Sequence, residues 1–362
     1  ETPNLHITIS KPKPKHSNMK RFINILLSFF GLDKEPQLPI FYGFGKDATG
    51  GLGGKKYGVK NEAELRAAIN QNHARIIILK SQINLTSKLN IYYNNITLLG
   101  RGDNASIMGS SVNVFCKNFV FHNIHFAALD QDNTSNHDTL GFRASAENGV
   151  VDRCIFSFGV DENLDVWGGK NITIQYCINA HALNNSIHDK GAHSMGMLIG
   201  DNAKNISVLY NVFAHNVERH IRIGEGATVE SIGNIFYDFK DACVLSPNTN
   251  STIINNVYLK GKQTPASKLI DCTSNENVKV YVSGNVNDYG AKEVHNDVLE
   301  VLINEPEIYS GAPIPSTENA ATNWIKTVRP ERPYATYILK EIIHKKGKVI
   351  DKPEEVSHYF NI

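Results

Sequence analysis

The sequence contains few cysteines and almost no net charge, and both features exclude classes of protein. Its 362 residues include 5 cysteines, too few and too scattered for a disulfide scaffold, and no Cys-x-x-Cys pair indicates a zinc or redox site. The formal charge is +1, from 37 basic and 36 acidic residues, so no overall field favours nucleic acid and attraction to an anion has to be local. A hydrophobic fraction of 41% is typical of a protein with a substantial core.

The sequence also lacks an apolar run long enough to cross a bilayer, so we expect no membrane span. Its strongest apolar segment, residues 22–30, follows the basic stretch 19–21, an arrangement that resembles a secretion signal. The segment is not at the start of the chain and no typical cleavage site follows it, so a buried helix that caps the fold is the alternative. We interpret residues 1–40 as a leader and predict a secreted protein, extracellular or periplasmic.

A helix and a strand are predicted at the start of the folded region. Residues 61–70 have the pattern of a short helix, in which Asn61 caps the first turn and Glu64 completes a capping box. Residues 75–79, an Arg followed by Ile-Ile-Ile-Leu, have the composition of a strand.

From residue 95 onward the sequence repeats. Eight segments alternate apolar and polar residues, and most end in Asn or Cys followed by Ile or Val. These end positions include Cys154, Cys177, Asn211, Asn234, Asn256 and Asn285. Their spacings of 23, 34, 23, 22 and 29 residues indicate a base period of 22–23 residues with loop insertions, which is typical of a solenoid.

The repeats predict an all-β fold, a right-handed parallel β-helix with about three short strands per turn. Asn at one register of successive turns would form an amide ladder that satisfies the backbone groups exposed at each bend. Cys154 and Cys177 share that register, and we interpret them as stacked buried thiols, with a disulfide as the alternative. Leucine-rich repeats have the same period but need a Leu framework that is absent here.

The repeat pattern stops near residue 290, which sets the predicted domain boundaries. Residues 41–290 form the β-helix domain, with a capping helix at its N-terminal end, and residues 291–362 form a C-terminal extension that packs on the coils. Within the extension, residues 297–302 and 337–343 have helical patterns.

Acidic and basic residues concentrate between positions 138 and 222. Asp138, Asp161 and Asp165 belong to neighbouring predicted coils, and a His- and Lys-containing loop (188–193) and a basic stretch (219–222) follow them. If the coils stack, these groups lie on one face, an arrangement suited to metal-assisted chemistry on an anionic polymer. The alternative for each aspartate is an ordinary solvated turn residue, and for the basic stretch an exposed turn.

In this arrangement of coils, residues 41–355 resemble the pectate lyase family (polysaccharide lyase family 1), in a divergent, bacterial-type form. The similarity rests on the order of several motifs and not on any single one. These motifs are Gly43-Phe44-Gly45 with Thr49-Gly50-Gly51, Asp138, residues 150–157, Asp161 with Asp165, Leu198-Ile199-Gly200, and Arg219 with Arg222.

The resemblance implies a calcium-dependent lyase that cleaves polygalacturonate by β-elimination. It assigns Asp138, Asp161 and Asp165 as Ca²⁺ ligands, Arg219 as the base that removes the C5 proton, and Arg222 as a ligand of the substrate carboxylate. An arginine is a poor base, so neighbouring cations would have to favour its neutral form.

One position departs from the family pattern, because Met195 stands where the family has a substrate-binding lysine. The preceding loop is enlarged, and we predict that Lys190 and His193 contact the substrate. Two alternatives stay open: a β-helix that binds acidic polysaccharide without cleaving it or with altered specificity, and a pectin-type hydrolase. The hydrolase would need paired carboxylates, and no Asn-Thr-Asp or Asp-Asp motif is present. We expect a monomer without a nucleic-acid partner.

Overall fold

The computed structural model describes residues 39–129, 137–200, 202–265, 269–291, 301–317 and 332–344. Almost all of the predicted leader lies outside these ranges. The described residues from Phe41 onward belong to one compact unit. None of the helices in the described ranges has the length and apolar character needed to cross a membrane.

Short parallel strands in three sheets make up most of the described chain. Sheet A contains β1 (Lys55–Val59), β2 (Arg75–Leu79), β5 (Ile96–Gly100), β8 (Lys117–His122), β11 (Glu147–Asp152), β14 (Lys170–Gln175), β17 (Lys204–Leu209), β20 (Thr228–Ile232), β23 (Asn250–Ile254) and β26 (Lys279–Ser283). Sheet B contains β3 (Gln82–Asn84), β6 (Ser106–Met108), β9 (His125–Ala127), β12 (Ile155–Ser157), β15 (Ile178–Ala180), β18 (Val212–Ala214), β21 (Ile235–Tyr237), β24 (Val257–Leu259) and β27 (Val286–Asn287). Sheet C contains β4 (Leu89–Ile91), β7 (Val112–Val114), β10 (Leu140–Phe142), β13 (Glu162–Trp167), β16 (Met195–Gly200), β19 (Ile221–Ile223), β22 (Cys243–Leu245) and β25 (Ile270–Cys272).

Successive strands pass from sheet A to sheet B to sheet C, and each strand pairs in parallel with its equivalent in the next coil. This is the predicted right-handed parallel β-helix. Because side chains alternate across each strand, one set points into the solenoid and stacks there. Phe126 lies over Phe156 and Phe213 over Phe236, with ring centroids 6.1 and 5.1 Å apart.

The predicted amide ladder is confirmed. Asn234 Oδ1 accepts hydrogen bonds from the backbone N and the Nδ2 of Asn211, at 2.8 and 3.0 Å, and the same pattern continues through Asn256 to Asn285. At the same register Cys154 N donates to Cys177 Sγ at 3.3 Å, and both cysteines are free. The interpretation of this pair as stacked buried thiols is therefore also confirmed.

A helix covers the N-terminal end of the solenoid, as predicted, and a second helix is present in the C-terminal extension. Helix α1 (Glu62–Ile69) begins after Asn61, whose Oδ1 accepts from Glu64 N at 2.9 Å, so the predicted cap is confirmed. The Glu64 carboxylate accepts from Lys60 N, one residue before the backbone N of a strict capping box. Leu65 and Ile69 of helix α1 are buried in the core at the N-terminal end. Helix α2 (Pro333–His344) contains the predicted helical stretch 337–343.

Helix α2 packs on the outer face of sheet B. Its Ala335, Ile338 and Ile342 join a buried cluster with Ile178 and Val212, which point outward from the coils. The predicted packing of a C-terminal segment on the coils is confirmed for this helix.

The prediction of a helix at residues 297–302 is wrong for the two residues that the structure describes, 301 and 302. Leu302 forms a parallel bridge with Val280 of β26, and Val280 N donates to Val301 O at 3.1 Å. These residues continue sheet A because the last strand of that sheet offers open backbone hydrogen bonds. The first four residues of the predicted helix lie outside the described ranges.

Candidate active site on sheet C

The site is on the outer face of sheet C, where four coils bring charged residues into register. Gly141 of β10 pairs with Asp165 of β13, Asp165 with Leu198 of β16, and Leu198 with Arg222 of β19. Each of these strands is preceded by a bend, and Asp138, Asp161 and Arg219 lie at three of these bends. Stacking therefore places acids and bases from distant parts of the sequence side by side.

The three predicted aspartates come together with a fourth carboxylate. Oxygen atoms of Asp138, Asp161 and Glu162 lie within 4.8 Å of one another, and Asp165 follows Glu162 three residues further along β13. Glu162 N donates to Asp138 Oδ1 at 3.3 Å, which links the two coils. We call Asp138, Asp161, Glu162 and Asp165 the acid cluster.

Arg143 joins two members of the acid cluster. Its Nη2 donates to Asp138 Oδ2 at 2.9 Å and its Nη1 donates to Asp165 Oδ2. Asn113 Oδ1 in the preceding coil accepts two further bonds from the same guanidinium. The position of the Arg143 guanidinium depends on the glycine at 141, because a Cβ on that residue would lie 2.4 Å from Arg143 Nη2.

Asp161 is held by the histidines of the enlarged loop. His193 Nε2 lies 2.6 Å from Asp161 Oδ1, and His188 Nε2 lies 3.6 Å from the same oxygen. The two imidazoles are stacked with centroids 3.9 Å apart. His188 Nδ1 accepts from Lys190 N, so neutral His188 carries its proton on Nε2, facing the carboxylate. The side chain of Lys190 is exposed.

The basic side of the site contains Arg219, Arg222 and the departure at Met195. Arg219 lies in a left-handed turn (φ 52°) and its Nη1 donates to Glu162 Oε1. Met195 is buried, and in the register of sheet C it lies opposite Glu162. The strand position next to this carboxylate therefore carries an uncharged thioether. Arg222 points outward from β19, and burial together with the charge of Arg219 lowers its pKa.

Crowding of like charges alters the acid cluster. Burial and the neighbouring carboxylates raise the pKa of Asp138 and raise the pKa values of Glu162 and Asp165 well above their ordinary range. Burial also opposes ionisation of Asp161, but the hydrogen bonds with His193 and Glu162 and the charges of His193 and His188 together outweigh it and lower the pKa of Asp161 to about 2. The other three crowded carboxyls therefore resist ionisation together, and a bound cation would favour their charged forms.

The donor set fits a divalent cation. Three of the four carboxylates contact a guanidinium, Asp138 and Asp165 that of Arg143 and Glu162 that of Arg219, whereas Asp161 contacts histidines and no guanidinium among the described residues. Asp165 Oδ1 is buried and accepts no hydrogen bond within the described ranges. Carboxylate oxygens are the ligands that Ca²⁺ prefers. The closest group is Asp138, Asp161 and Glu162, whereas Asp165 Oδ2 is bound by Arg143.

Sequence reasoning placed Asp138, Asp161, Asp165, Arg219 and Arg222 on one face, and the structure brings them together. It missed Arg143 and Glu162. Glu162 directly follows Asp161, and Arg143 is preceded two residues earlier by Gly141, the small residue that makes room for it; these were the available signals.

Known proteins resemble this chain in sequence and in fold. No family model matches the chain. A curated relative, the probable pectate lyase C of Emericella nidulans, is 26% identical over 262 residues, which cover 68% of this chain and 58% of the relative. The chain thus matches less than two thirds of the length of that relative.

Solved structures agree on the architecture. A Bacillus subtilis pectate lyase variant superposes with a TM-score of 0.64 at 16% identity, over 80% of this chain and 96% of that one. A pectate lyase bound to a hexasaccharide gives 0.65 at 16% identity, with the same coverage. The fold is that of the parallel β-helix lyases. Together with the relative matched in sequence, this fold supports the resemblance to the pectate lyase family that the order of the motifs predicts.

Proposed function

We propose that the chain is a polysaccharide lyase that cleaves polygalacturonate by β-elimination with the help of calcium. The observation that carries the proposal is the convergence of the acid cluster with Arg219 and Arg222 on one outer face of sheet C. A uronate polymer offers a carboxylate on each sugar, which such a mixed face can bind both directly and through a cation.

Asp138, Asp161 and Glu162 would hold the calcium, with Asp165 beside them. A bound Ca²⁺ would draw the C6 carboxylate of a uronate and stabilise the negative charge that develops when the C5 proton leaves. Arg143 contributes a fixed positive charge in the same region and orients Asp138 and Asp165.

Substrate binding is assigned to Arg222, with Lys190 and His193 at the edge of the site. Arg222 faces outward at the register of Asp165, and no ion pair of its guanidinium occurs within the described ranges, so it is available for a carboxylate. Lys190 is exposed on the enlarged loop, so its ammonium is open to an anionic ligand. His193 reaches substrate only by leaving Asp161.

Arg219 is the proposed proton acceptor. Its Nη1 donates to Glu162 Oε1, so the guanidinium has to leave that carboxylate before it can reach a proton of the substrate. The same contact supports a second candidate function, a β-helix that binds acidic polysaccharide without cleaving it. Buried Met195 in place of the family lysine favours that alternative as well.

Incubation with polygalacturonate separates the candidates. A lyase produces unsaturated ends that absorb in the ultraviolet, and we expect this absorbance to need calcium and to disappear with a chelator. Arg219→Ala should abolish it, and His193→Ala should retain a measurable part. Loss of activity in His193→Ala with full activity in Arg219→Ala would contradict the assignment of the base. Binding without any product would support the second candidate.

A further inference from the structure

A second group of possible metal ligands lies away from sheet C, beneath helix α2. His181 follows β15 and His215 follows β18, at the same left-handed turn of successive coils, with φ values of 54° and 58°. Their imidazoles stack with centroids 5.1 Å apart and planes 8° apart. Glu341 of α2 reaches down to both rings, and all three residues are buried.

The three side chains present their ligand atoms to one point. His215 Nε2 lies 3.0 Å and His181 Nε2 lies 3.9 Å from Glu341 Oε2, and the three atoms are within 4.8 Å of one another. Ligands that share a tetrahedral zinc at bond lengths of about 2.0–2.1 Å are about 3.3 Å apart. The observed separations lie on either side of that value, so small rotations of the side chains suffice.

In each imidazole the second ring nitrogen, Nδ1, already contacts another side chain. His215 Nδ1 lies 2.8 Å from Asp238 Oδ2, and Asp238 also accepts from the backbone N of Gln263. A carboxylate only accepts, so His215 Nδ1 carries a proton and Nε2 of the neutral ring is a lone pair. That lone pair faces a carboxylate oxygen of Glu341. Two acceptors 3.0 Å apart need a cation between them, either a proton or a metal ion.

His181 is oriented in the same manner, because its Nδ1 lies 2.8 Å from Tyr334 Oη. Metal-bound histidines typically have their second nitrogen bonded to a carboxylate or another polar group, which fixes the ring. Asp238 and Tyr334 supply these contacts for the two rings.

We propose that His181, His215 and Glu341 bind a zinc ion that fastens helix α2 to the coils. Two imidazoles and one carboxylate are ligands suited to zinc, and a water would complete the tetrahedron. The site is separate from the acid cluster and does not depend on the proposed lyase activity. Its ligands come from two coils and a distant helix, so zinc binding favours the folded chain over the unfolded one.

The test uses the full chain stripped with EDTA, dialysed, and loaded with zinc alone. We expect elemental analysis to find one tightly retained zinc per chain and thermal melting to shift upward on loading. Glu341→Gln keeps the volume of the side chain and should weaken zinc binding by at least tenfold and remove the shift. Lys340→Gln, an exposed neighbour on the same helix, should behave as the unaltered chain.

A second variant excludes the histidine group on the enlarged loop, because Asp161, His188 and His193 also lie within 4.8 Å of one another. His193→Gln should retain the zinc and the thermal shift. Zinc lost from His193→Gln but kept by Glu341→Gln would overturn the proposal. So would the absence of retained zinc in the unaltered chain, which would show that a proton joins Glu341 to His215. Circular dichroism of each variant confirms that it is folded.

Discussion

Replacement of Arg143 by methionine tests the electrostatics of the acid cluster. The variant keeps much of the side-chain length but removes the charge that contacts Asp138 and Asp165. Removing one partner of a buried ion pair costs about 3–5 kcal/mol. The Arg143 side chain is 28% exposed, so solvent screening lowers the expected loss to about 2–3 kcal/mol in the free energy of unfolding.

Calcium should offset much of this loss. Without Arg143 the acid cluster keeps only one of the two guanidiniums that contact it, so it should bind a divalent cation more tightly. Calcium at about 100 times its Kd would add about 2.7 kcal/mol. Urea unfolding at neutral pH, with calcium and with a chelator, measures both effects.

Arg153→Met is the matched control. Arg153 Nη1 contacts the buried Asp152, which lies outside the acid cluster and keeps its bonds to His122 and Gln175. We expect a smaller loss and no larger response to calcium than in the unaltered chain. The reasoning is refuted if Arg143→Met is as stable as the unaltered chain, or if calcium stabilises the Arg143 and Arg153 variants equally.

Three further predictions concern the ladder, a buried carboxylate and substrate binding. Asn234→Ala removes a buried amide that bonds to both neighbouring coils, and it should lower the free energy of unfolding in urea by about 3 kcal/mol. The control is Asn248→Gly at an exposed left-handed turn, which should change this free energy by about 0.5 kcal/mol or less. Burial raises the pKa of Asp152, but the hydrogen bonds with His122 and Gln175 and the charges of His122 and Arg153 together outweigh this and lower the pKa below the ordinary 3.8. The contribution of Asp152 to stability is therefore present above pH 3.8 and is lost as pH falls further. Asp152→Asn should therefore be most destabilising at neutral pH, and an acid titration of both proteins in which the difference grows as pH falls would contradict this sign. Arg222→Ala should raise KM for polygalacturonate about tenfold or more, with little change in melting temperature; an unchanged KM would remove Arg222 from the binding site.

The repeating parts of the fold were predictable because they leave regular marks in the sequence. Asn211, Asn234, Asn256 and Asn285 recur where the coils bend, and each bonds to its neighbour in this series. The cap at Asn61 involves residues three apart, so it too is visible locally. The bridge formed by Leu302 was not predictable in this way, because it depends on the open edge left by a distant strand.

The site was predictable where its residues follow the repeat and not where they contact across it. Asp138 and Asp161 precede equivalent strands of neighbouring coils, so their proximity follows from the solenoid. The contact of Arg143 with Asp165 depends instead on the register that sets Asp165 opposite Gly141 and on the space above that glycine. Similarly, the contact of Arg219 with Glu162 spans two coils, and no local pattern marks it.

The mass of the products released from polygalacturonate tests the central claim most directly. β-Elimination yields an unsaturated fragment that is lighter by one water than the fragment from hydrolysis of the same bond. We predict the lighter fragment in the presence of calcium and none from Arg219→Ala. Fragments of the hydrolytic mass, or intact polymer that stays bound to the protein, would contradict the account.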